Sequence, residues 1–258
     1  MTRLTDLDDA WPVTCEPFSQ WVIEDRFPTG RPAWERVGAQ LVDDVRPYEL
    51  MKMRLLNAGH QVLAYPGRLL GFRYAYQACT DPTIRRLLER YLNQEGSQTL
   101  PYLPGVDLGG YSATIVERFG NPQVEDALAR LSFQSSTMIS TYLLPVVRDL
   151  IHAGQPAPIT VIVCWARFLE GVAEDGSPIE IVDDRIPDLR ARAARHDDNI
   201  LAVVGGNPLF HGLEGRSEFE RPVRPHAQPY PHSRRRRRPG SDAFSSSCPT
   251  SPPDRAAA

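Results

Sequence analysis

The sequence predicts a mainly α-helical domain with a short β element, followed by a disordered tail. Runs of helix-forming residues with apolar positions at helical spacing fill most of the chain before residue 195. Two short alternating runs, residues 20–24 and 39–43, predict strands that are candidates for pairing with each other. From residue 221 onwards, proline, arginine and serine replace the apolar residues that a core needs. We therefore predict a frayed lead over residues 1–10, a folded domain over 11–220 and a disordered tail over 221–258.

The predicted helices are bounded by residues that favour helix ends. Pro47 suits a first helical turn, and Tyr65-Pro66-Gly67 predicts the end of the helix that Tyr48 begins. Asn121-Pro122 and Gly154-Gln155-Pro156 supply further breaks. The predicted helices span Tyr48–Tyr65, Leu69–Ala78, Pro82–Gln94, Tyr111–Phe119, Val124–Leu131, Thr137–Ala153, Pro158–Gly171 and Asp188–Arg195.

The composition argues against several classes of protein. The chain has 258 residues, of which 41% are apolar, so it can bury a sizeable core. A net charge of −3 gives no general attraction to nucleic acid or to anionic membranes. No apolar run approaches the ~18 residues of a membrane span, and no signal-peptide core is present, so we expect a cytoplasmic protein. The widely spaced cysteines predict buried thiols in a reducing compartment and no metal site: Cys15, Cys79, Cys164 and Cys248.

Lys52 is the only lysine in the chain, since every other residue among the 29 lysines and arginines is an arginine. Arginine is in practice never deprotonated in proteins, whereas a desolvated lysine can accept a proton near neutral pH. The single amine therefore indicates proton-transfer chemistry at Lys52. The alternative explanation is an ordinary solvated charge on the surface of a helix.

Three other polar residues share the predicted helix with Lys52. At about 100° per residue, Glu49, His60 and Asn57 fall about 60°, 80° and 140° from Lys52 around the helix axis. Lys52 and His60 are about 12 Å apart along that axis, which long side chains can bridge on a ligand of sugar size. One helical face is thus predicted to carry a carboxylate, an amine, an amide and an imidazole. The structural alternatives are that Glu49 complements the helix dipole and that His60 bonds a neighbouring carbonyl.

The spacing of Lys52, Asn57 and His60 resembles the spacing in a known protein family. In Lys52-Met53-Arg54-Leu55-Leu56-Asn57-Ala58-Gly59-His60, an asparagine follows the lysine by five residues and a histidine follows three further on. This strongly resembles the catalytic pattern of the long-chain polyol dehydrogenases, the group that contains mannitol 2-dehydrogenase, mannitol-1-phosphate dehydrogenase and fructuronate reductase. The resemblance covers roughly residues 10–200, and these residues resemble that family's C-terminal domain. Further blocks that carry it are Glu16–Asp25, Phe27–Glu35, Pro104–Leu108, Arg118–Pro122 and Tyr142–Pro145.

The resemblance implies an NAD(P)-dependent, metal-independent oxidation of a secondary alcohol on an acyclic polyol, or the reverse reduction of a ketose. It implies that Lys52 is the general base, that Asn57 hydrogen-bonds the developing oxyanion and that His60 holds the substrate oxygen.

Three further positions bear on this expected site. The resemblance makes Arg130 a candidate substrate contact, with an exposed helix charge as the alternative. Spacing alone makes Glu49 a candidate proton relay, because it lies one turn before Lys52. Some relatives present a second substrate lysine where this chain has Thr141.

The cofactor motif of the family is not found in this sequence. A G-x-G-x-x-G turn should follow a strand and open a helix whose N-terminus binds the pyrophosphate. The nearest glycine pair, Gly205-Gly206, has no third glycine at the required spacing and predicts a turn. We therefore expect a truncated dehydrogenase that lacks the N-terminal Rossmann domain and its cofactor-binding residues. The choice between NAD and NADP stays open.

The tail contains five consecutive arginines, Arg234–Arg238, between proline-rich stretches. Such a run is typical of a basic arm that binds nucleic acid, but Tyr230 is the only aromatic residue beside it and no recognition module is predicted. We favour a tail that results from a lost coding frame.

The sequence as a whole leaves three hypotheses for the function of the chain: the substrate-binding half of a polyol dehydrogenase, an inert helical fragment with an aggregation-prone face, and an interaction protein that uses the arginine tail.

Overall fold

The computed structural model describes residues 10–11, 15–193, 207–213 and 215–216. These residues form a mainly helical fold with one small sheet, so the predicted fold class is confirmed. The predicted tail over 221–258, the turn at Gly205-Gly206 and nearly all of the predicted lead lie outside the described residues. The domain boundaries at residues 11 and 220 therefore stay predictions.

The β element is a parallel two-stranded sheet. Strand β1 (Trp21–Glu24) pairs with β2 (Ala39–Val42) in a register that aligns their first and their last residues. The connection ends in a 3-10 turn, Trp34–Val37, followed by Gly38, whose φ of 92° disfavours any residue with a side chain. Arg31 braces the connection through ion pairs of 2.8 and 2.7 Å to two carboxylates within it. Both predicted strands and their pairing are confirmed.

The rest of the described chain consists of α-helices that are continued in places by segments with the wider π-helical turn. The α-helices are α1 (Arg46–Met51), α2 (Ala58–Leu69), α3 (Ala75–Thr80), α4 (Pro82–Arg90), α5 (Leu108–Phe119), α6 (Leu128–Leu131), α7 (Ser135–Met138), α8 (Leu144–His152), α9 (Ile159–Phe168) and α10 (Ile186–Ala193). The π segments are Lys52–Asn57, Tyr91–Glu95 and Ile139–Leu143, and two more 3-10 turns span Gly96–Thr99 and Pro208–Phe210.

Two predicted boundaries around α2 are wrong. The helix passes through Pro66 and ends at Leu69, although proline lacks the N–H that would extend the helical ladder. Burial outweighs that loss, because Pro66, Gly67 and Leu69 all lie in the core. The chain then turns at Gly71, with a φ of 77°, so the helix predicted over residues 69–78 begins only at Ala75.

The helix predicted over residues 124–131 is also shorter than expected, since only Leu128–Leu131 is helical. Backbone pairing takes up the residues before it. The Ala75 N–H donates to the Asp126 carbonyl at 2.8 Å, and the Leu128 N–H donates to the Arg73 carbonyl at 2.9 Å. These bonds hold residues 126–128 extended beside residues 73–75 and fix where α6 begins.

Helix α2 lies at the centre of the fold. It packs against α9, α3, α6 and α4, and nearly all of its residues are buried. Tyr65 of α2 contacts Phe168 of α9 with ring centroids 5.5 Å apart. Burial of such large side chains supplies most of the driving force for folding, at roughly 25 cal/mol per Å² of apolar surface. The start of α2 is therefore a rigid support for any functional group placed there.

Two further expectations concern the environment of the chain. Among the residues that the structure describes, no helix is long and apolar enough to cross a membrane. Cys15, Cys79 and Cys164 are free thiols, and Cys79 is buried as expected, whereas Cys15 is exposed. Cys248 lies outside the described residues.

Candidate active site

The three residues of the catalytic pattern line one open cleft with a volume of about 760 Å³. Lys52, Asn57 and His60 lie along one wall, on the π segment and the first turn of α2. The opposite wall comes from α6 to the third π segment and includes Arg130. The remaining lining residues are Leu56, Gln61, Ala129, Leu131, Phe133, Met138 and Tyr142.

The π segment changes how Lys52 and Asn57 are related. A regular α-helix would separate them by about 140° around the axis. In the π segment the backbone bonds join residues five apart, so the turn is wider and the residue five positions on comes back toward the same side. The prediction of a regular α-helix through Lys52 is therefore wrong in detail. The wider turn reduces the angle between Lys52 and Asn57 around the helix axis below the predicted value of about 140°.

The side chains of Lys52 and Asn57 remain available to a ligand. Lys52 is exposed and Asn57 is partly exposed. Within the described parts of the chain, neither side chain forms a hydrogen bond or ion pair to another residue. An amine and an amide that project into a cleft without protein partners can bond a polar molecule there.

His60 is held by an aromatic ring. Its imidazole stacks on Phe119 of α5 with ring centroids 4.5 Å apart and planes 29° apart. Burial lowers the pKa of His60 to about 4; the Asp126 carboxylate opposes this shift, and the cations of Arg130 and Lys52 add to it. His60 is therefore neutral at pH 7 and offers one N–H donor and one nitrogen acceptor. The alternative bond to a neighbouring carbonyl is not formed among the residues described.

His60 also borders a second, smaller cavity of about 150 Å³. Glu16, Arg118, Phe119 and Asp126 line it together with the imidazole. Arg118 forms an ion pair with Glu16 at 2.8 Å, so the chain that leads into β1 is tied to α5. His60 thus lies between this cavity and the cleft.

Gln61 extends the polar wall beyond His60. Its amide nitrogen donates to the Leu131 carbonyl at 3.3 Å, and its amide oxygen accepts a short hydrogen bond from the Tyr65 hydroxyl. Burial raises the pKa of Tyr65 well above its usual value, so the hydroxyl stays protonated and remains a donor. Gln61 is only 2% exposed, and these two bonds fix its orientation at the base of the cleft.

Arg130 lies at the mouth of the cleft. Its guanidinium forms a two-pronged ion pair with Asp126, with distances of 2.8 and 2.6 Å, and 67% of its side chain is exposed. The hydrogen bond from its own guanidinium to Asp126 raises the pKa of Arg130 further. Arg130 is thus an exposed helix charge that also lines the cleft, and its contact with a substrate stays a prediction.

Glu49 and Thr141 do not line the cleft. Glu49 lies on α1 and is exposed, one turn before Lys52. Thr141 is exposed on the third π segment, whereas the next residue, Tyr142, faces the cleft. Sequence reasoning missed Tyr142, Met138 and Phe133, because no local pattern reports which residues of a distant helix will face Lys52. It could have found Gln61, which directly follows His60.

A metal-binding cluster and a glycine-rich turn after β1 are both absent among the described residues. They contain no group of three histidine, cysteine, aspartate or glutamate side chains that could bind a metal ion. No glycine-rich turn joins β1 to a helix N-terminus, since β1 is followed by a loop and a four-residue 3-10 turn. The groups that line the cleft can bind a polar substrate and transfer a proton.

Comparison with known proteins identifies the family of this chain. The family model of the mannitol dehydrogenase C-terminal domain matches residues 44–228. Mannitol dehydrogenase 2 of Saccharomyces cerevisiae is 42% identical over 207 residues, which are 79% of this chain and 41% of that protein. The chain therefore spans about two-fifths of the length of the curated relatives that it matches.

Two solved structures have the same fold. The Pseudomonas fluorescens mannitol 2-dehydrogenase, in a ternary complex with NAD and D-mannitol, is 40% identical with a TM-score of 0.65; the match covers 72% of this chain and 38% of that one. A substrate-free D-sorbitol dehydrogenase is 31% identical with a TM-score of 0.73; the match covers 81% of this chain and 43% of that one. The chain belongs to the mannitol dehydrogenase family, and the part that it shares with that family is the C-terminal domain.

Proposed function

We propose that the cleft binds an acyclic polyol or the corresponding ketose and that Lys52 is the proton acceptor for its NAD(P)-dependent oxidation. The observation that carries this proposal is that Lys52, Asn57 and His60 line one cleft while their side chains have no hydrogen-bonded partner among the described residues. The solved relative that contains NAD and D-mannitol supports the substrate class. The volume of about 760 Å³ is large enough for a molecule of sugar size.

Lys52 has the chemistry that this reaction needs. In oxidation, its uncharged amine accepts the proton of the reacting hydroxyl; in reduction, its ammonium returns a proton to the ketose oxygen. An arginine could not serve, because its guanidinium is not deprotonated in proteins. The open position of Lys52 on the cleft wall lets a substrate reach it.

Asn57 and His60 would stabilise the negative charge that develops on the substrate oxygen. The side-chain amide of Asn57 can donate a hydrogen bond to the oxygen that gains negative charge as its proton leaves. The neutral imidazole of His60 can donate to the same oxygen or accept from a neighbouring hydroxyl, and its stacking on Phe119 fixes the ring. His60 lies on the buried helix α2 and Asn57 ends the π segment that leads into it, so little reorganisation would accompany the reaction.

Arg130 and Glu49 have secondary places in the proposal. Arg130 would bind the distal hydroxyls of the polyol at the cleft mouth, with Asp126 holding its guanidinium. Glu49 would pass the proton from Lys52 to solvent, which its exposed position one turn away permits. We assign the main binding site of the hydride acceptor, NAD or NADP, to a nucleotide-binding domain other than the residues described here.

The test is NADH oxidation with fructose by the chain alone and after mixing with a separately expressed nucleotide-binding half of a related enzyme. We expect turnover only on mixing, and we expect Lys52→Ala and Lys52→Arg to abolish it, because neither variant retains an amine. Arg86→Ala, which removes an exposed helix cation that does not line the cleft, is the matched control and should keep full activity. Equal turnover by Lys52→Arg and the unchanged chain would refute the assignment of the base.

An inert domain is the second candidate, because large apolar side chains are exposed near the β element. Trp21 is 48% exposed and Val37 is 78% exposed. Such a surface favours aggregation when nothing covers it. Binding of a hydrophobic dye and poor solubility, without turnover on mixing, would favour this candidate.

The interaction hypothesis concerns Arg234–Arg238, outside the described residues, and requires salt-dependent nucleic-acid binding that is lost when residues 222–258 are deleted.

A further inference from the structure

The π segment under the candidate site leaves a backbone carbonyl without its α-helical partner. In a regular helix the Ala58 N–H would donate to the carbonyl four residues earlier, that of Arg54. Here the Ala58 N–H donates to the carbonyls of Met53 and Leu55. The wider turn therefore persists only if the partly buried Arg54 carbonyl finds another donor, because an unpaired carbonyl away from water is unfavourable.

Tyr91 supplies that donor from another part of the chain. Its hydroxyl donates to the Arg54 carbonyl at 2.7 Å, although the two residues are 37 positions apart. The side chain of Tyr91 is fully buried, and it begins the second π segment. Burial raises the pKa of Tyr91, so its hydroxyl keeps its proton across the range in which the protein is folded.

Gly96 makes room for the same contact. A methyl group on Gly96 would lie 3.0 Å from Leu55 Cδ2, 3.2 Å from the Arg54 carbonyl oxygen and 3.4 Å from Tyr91 Cε1. The φ of Gly96 is −59°, so the backbone conformation does not require glycine. The absence of a side chain matters here because the chain at Gly96, directly after the second π segment, approaches the first π segment closely.

The side chain of Arg54 fastens the π segment to two further elements. Its Nη1 donates to the Thr99 carbonyl at 2.7 Å and pairs with Asp149 Oδ2 of α8 at 2.6 Å. Arg54 thus connects the segment between Lys52 and Asn57 to the 3-10 turn beside Gly96 and to α8. All of these contacts lie behind the wall that carries the amine and the amide.

We propose that Tyr91 and Gly96 are positioning residues that maintain the π segment and thereby set the position of Asn57 relative to Lys52. Neither residue lines the cleft, so both act through the backbone. The catalytic consequence rests on the proposed function, whereas the geometric consequence does not. Loss of the Tyr91 hydroxyl favours return of the Ala58 N–H to the Arg54 carbonyl. That return would rotate Asn57 away from Lys52 by about one residue, or ~100°.

The first test is structural and uses the whole chain. Crystal structures are determined for the unchanged chain and for Tyr91→Phe, Gly96→Ala and Ile84→Val. Ile84 is a buried residue of α4, and its loss of one methyl group is the control for a general loss of stability. We expect a regular α-helical turn at residues 52–57 in Tyr91→Phe, a displaced Arg54 carbonyl in Gly96→Ala and no change in Ile84→Val. A π segment that is unaltered in Tyr91→Phe or in Gly96→Ala, where that variant folds, would overturn the proposal.

The second test is kinetic and uses the mixing assay. We expect Tyr91→Phe and Gly96→Ala to lower kcat at least about tenfold with little change in KM, because misplacing a reacting group by about 1 Å can slow the chemical step about a hundredfold. Ile84→Val should retain kcat. An equal fall in kcat for Ile84→Val, or unchanged kcat in a variant that has lost the π segment, would contradict the proposal. If the unchanged chain shows no turnover, the proposed function fails while the crystal structures still decide the positioning role.

Discussion

At pH 7 the imidazole of His60 carries no charge, because burial against Phe119 lowers its pKa to about 4 from the usual 6.5. Two cations at the cleft, Lys52 and Arg130, reinforce this preference. A neutral ring next to a proton-accepting amine is useful, since a charged imidazolium would repel the ammonium that forms when the amine accepts the proton. The chemistry proposed for Lys52 therefore depends on the burial of its neighbour.

The first prediction concerns this pKa. Above pH 6.5 His60 is neutral in both the folded and the unfolded chain, so it has no effect on the pH dependence of stability. Between pH 6.5 and 4 the unfolded chain binds a proton that the folded chain rejects, so stability is lost as the pH falls. We expect this loss to reach on the order of 2 kcal/mol near pH 4.5. The measurement is the free energy of unfolding at pH 7 and pH 4.5.

The control for this measurement is His60→Gln, which keeps a polar planar side chain but cannot titrate. The decrease in stability between the two pH values should be smaller in this variant, because all other titrating groups are shared. The proton NMR signal of the His60 ring should titrate with a midpoint near 4. A midpoint near 6.5, with equal pH dependence in the two proteins, would contradict the burial of the ring.

The grouping of Lys52, Asn57 and His60 was predictable from the sequence, but their surroundings were not. Lys52, Asn57 and His60 follow from a short spacing within one helical run, which is local information. Gln61 takes its orientation from Leu131, 70 residues away, and the ring of His60 is held by Phe119. Contacts of this kind depend on the tertiary fold, and a single sequence contains no pattern that reports them.

At the scale of elements, helical propensity located most helices but could not report their pitch. Residues 52–57 are good helix formers, and propensity alone favours a regular α-helix there. The π turn depends on a hydroxyl from Tyr91 and on the space left by Gly96, neither of which is local. In the same way, Pro66 predicts a helix end by its own chemistry, and the core around α2 overrides it.

The second prediction tests how closely α2 packs on its neighbours. A methyl group on Gly67 would lie 2.7 Å from Leu128 Cδ1 and 3.0 Å from Ala78 Cβ. Gly67→Ala improves helix propensity by about 1 kcal/mol, whereas overpacking costs about 1–3 kcal/mol. Because the Ala78 methyl group cannot move without α3, we expect net destabilisation in urea unfolding. We also expect a small displacement of α6, which forms part of the cleft wall and contains Leu128.

Gly109→Ala is the matched control, because it makes the same change on the exposed first turn of α5. The nearest atom to its new methyl group would be an Asp107 carboxylate oxygen at 3.3 Å, which is the end of a side chain. We expect this variant to be as stable as the unchanged chain or more stable. Equal stability of the two variants would show that α2 and α6 have room to separate.

At the scale of the whole molecule, Asp183 connects the last described helix to the cleft wall. Its carboxylate accepts hydrogen bonds from the Ser135 hydroxyl at 2.9 Å and from the Ser136 N–H at 2.6 Å, while the Trp165 N–H donates to the same Ser135 hydroxyl. Burial alone would raise the pKa of Asp183, but bonds from Ser136, Arg185 and Ser135 outweigh it and lower the pKa. The stability that it supplies is complete above pH 3.8 and is lost as the pH falls further.

The third prediction concerns the segment Asn207–Leu213, which lies after a stretch outside the described residues. Phe210 is fully buried there and contacts Trp165 of α9 with ring centroids 5.9 Å apart. Arg148 of α8 donates to the Leu209 carbonyl at 2.8 Å, so two helices hold this segment. If the segment is part of the cooperative fold, Phe210→Ala should lower the free energy of unfolding by about 3–5 kcal/mol.

Urea unfolding followed by tryptophan fluorescence measures this change, because Trp165 lies against the substituted ring. Pro208→Ala is the control: Pro208 is exposed in the same 3-10 turn, so its replacement should change the stability by less than about 0.5 kcal/mol. A loss of similar size in both variants, or a loss below about 1 kcal/mol in Phe210→Ala, would mean that the segment only lies against the domain. A loss in the expected range would instead place the end of the folded domain beyond Leu213 and make this segment necessary for the core that supports Lys52 and His60.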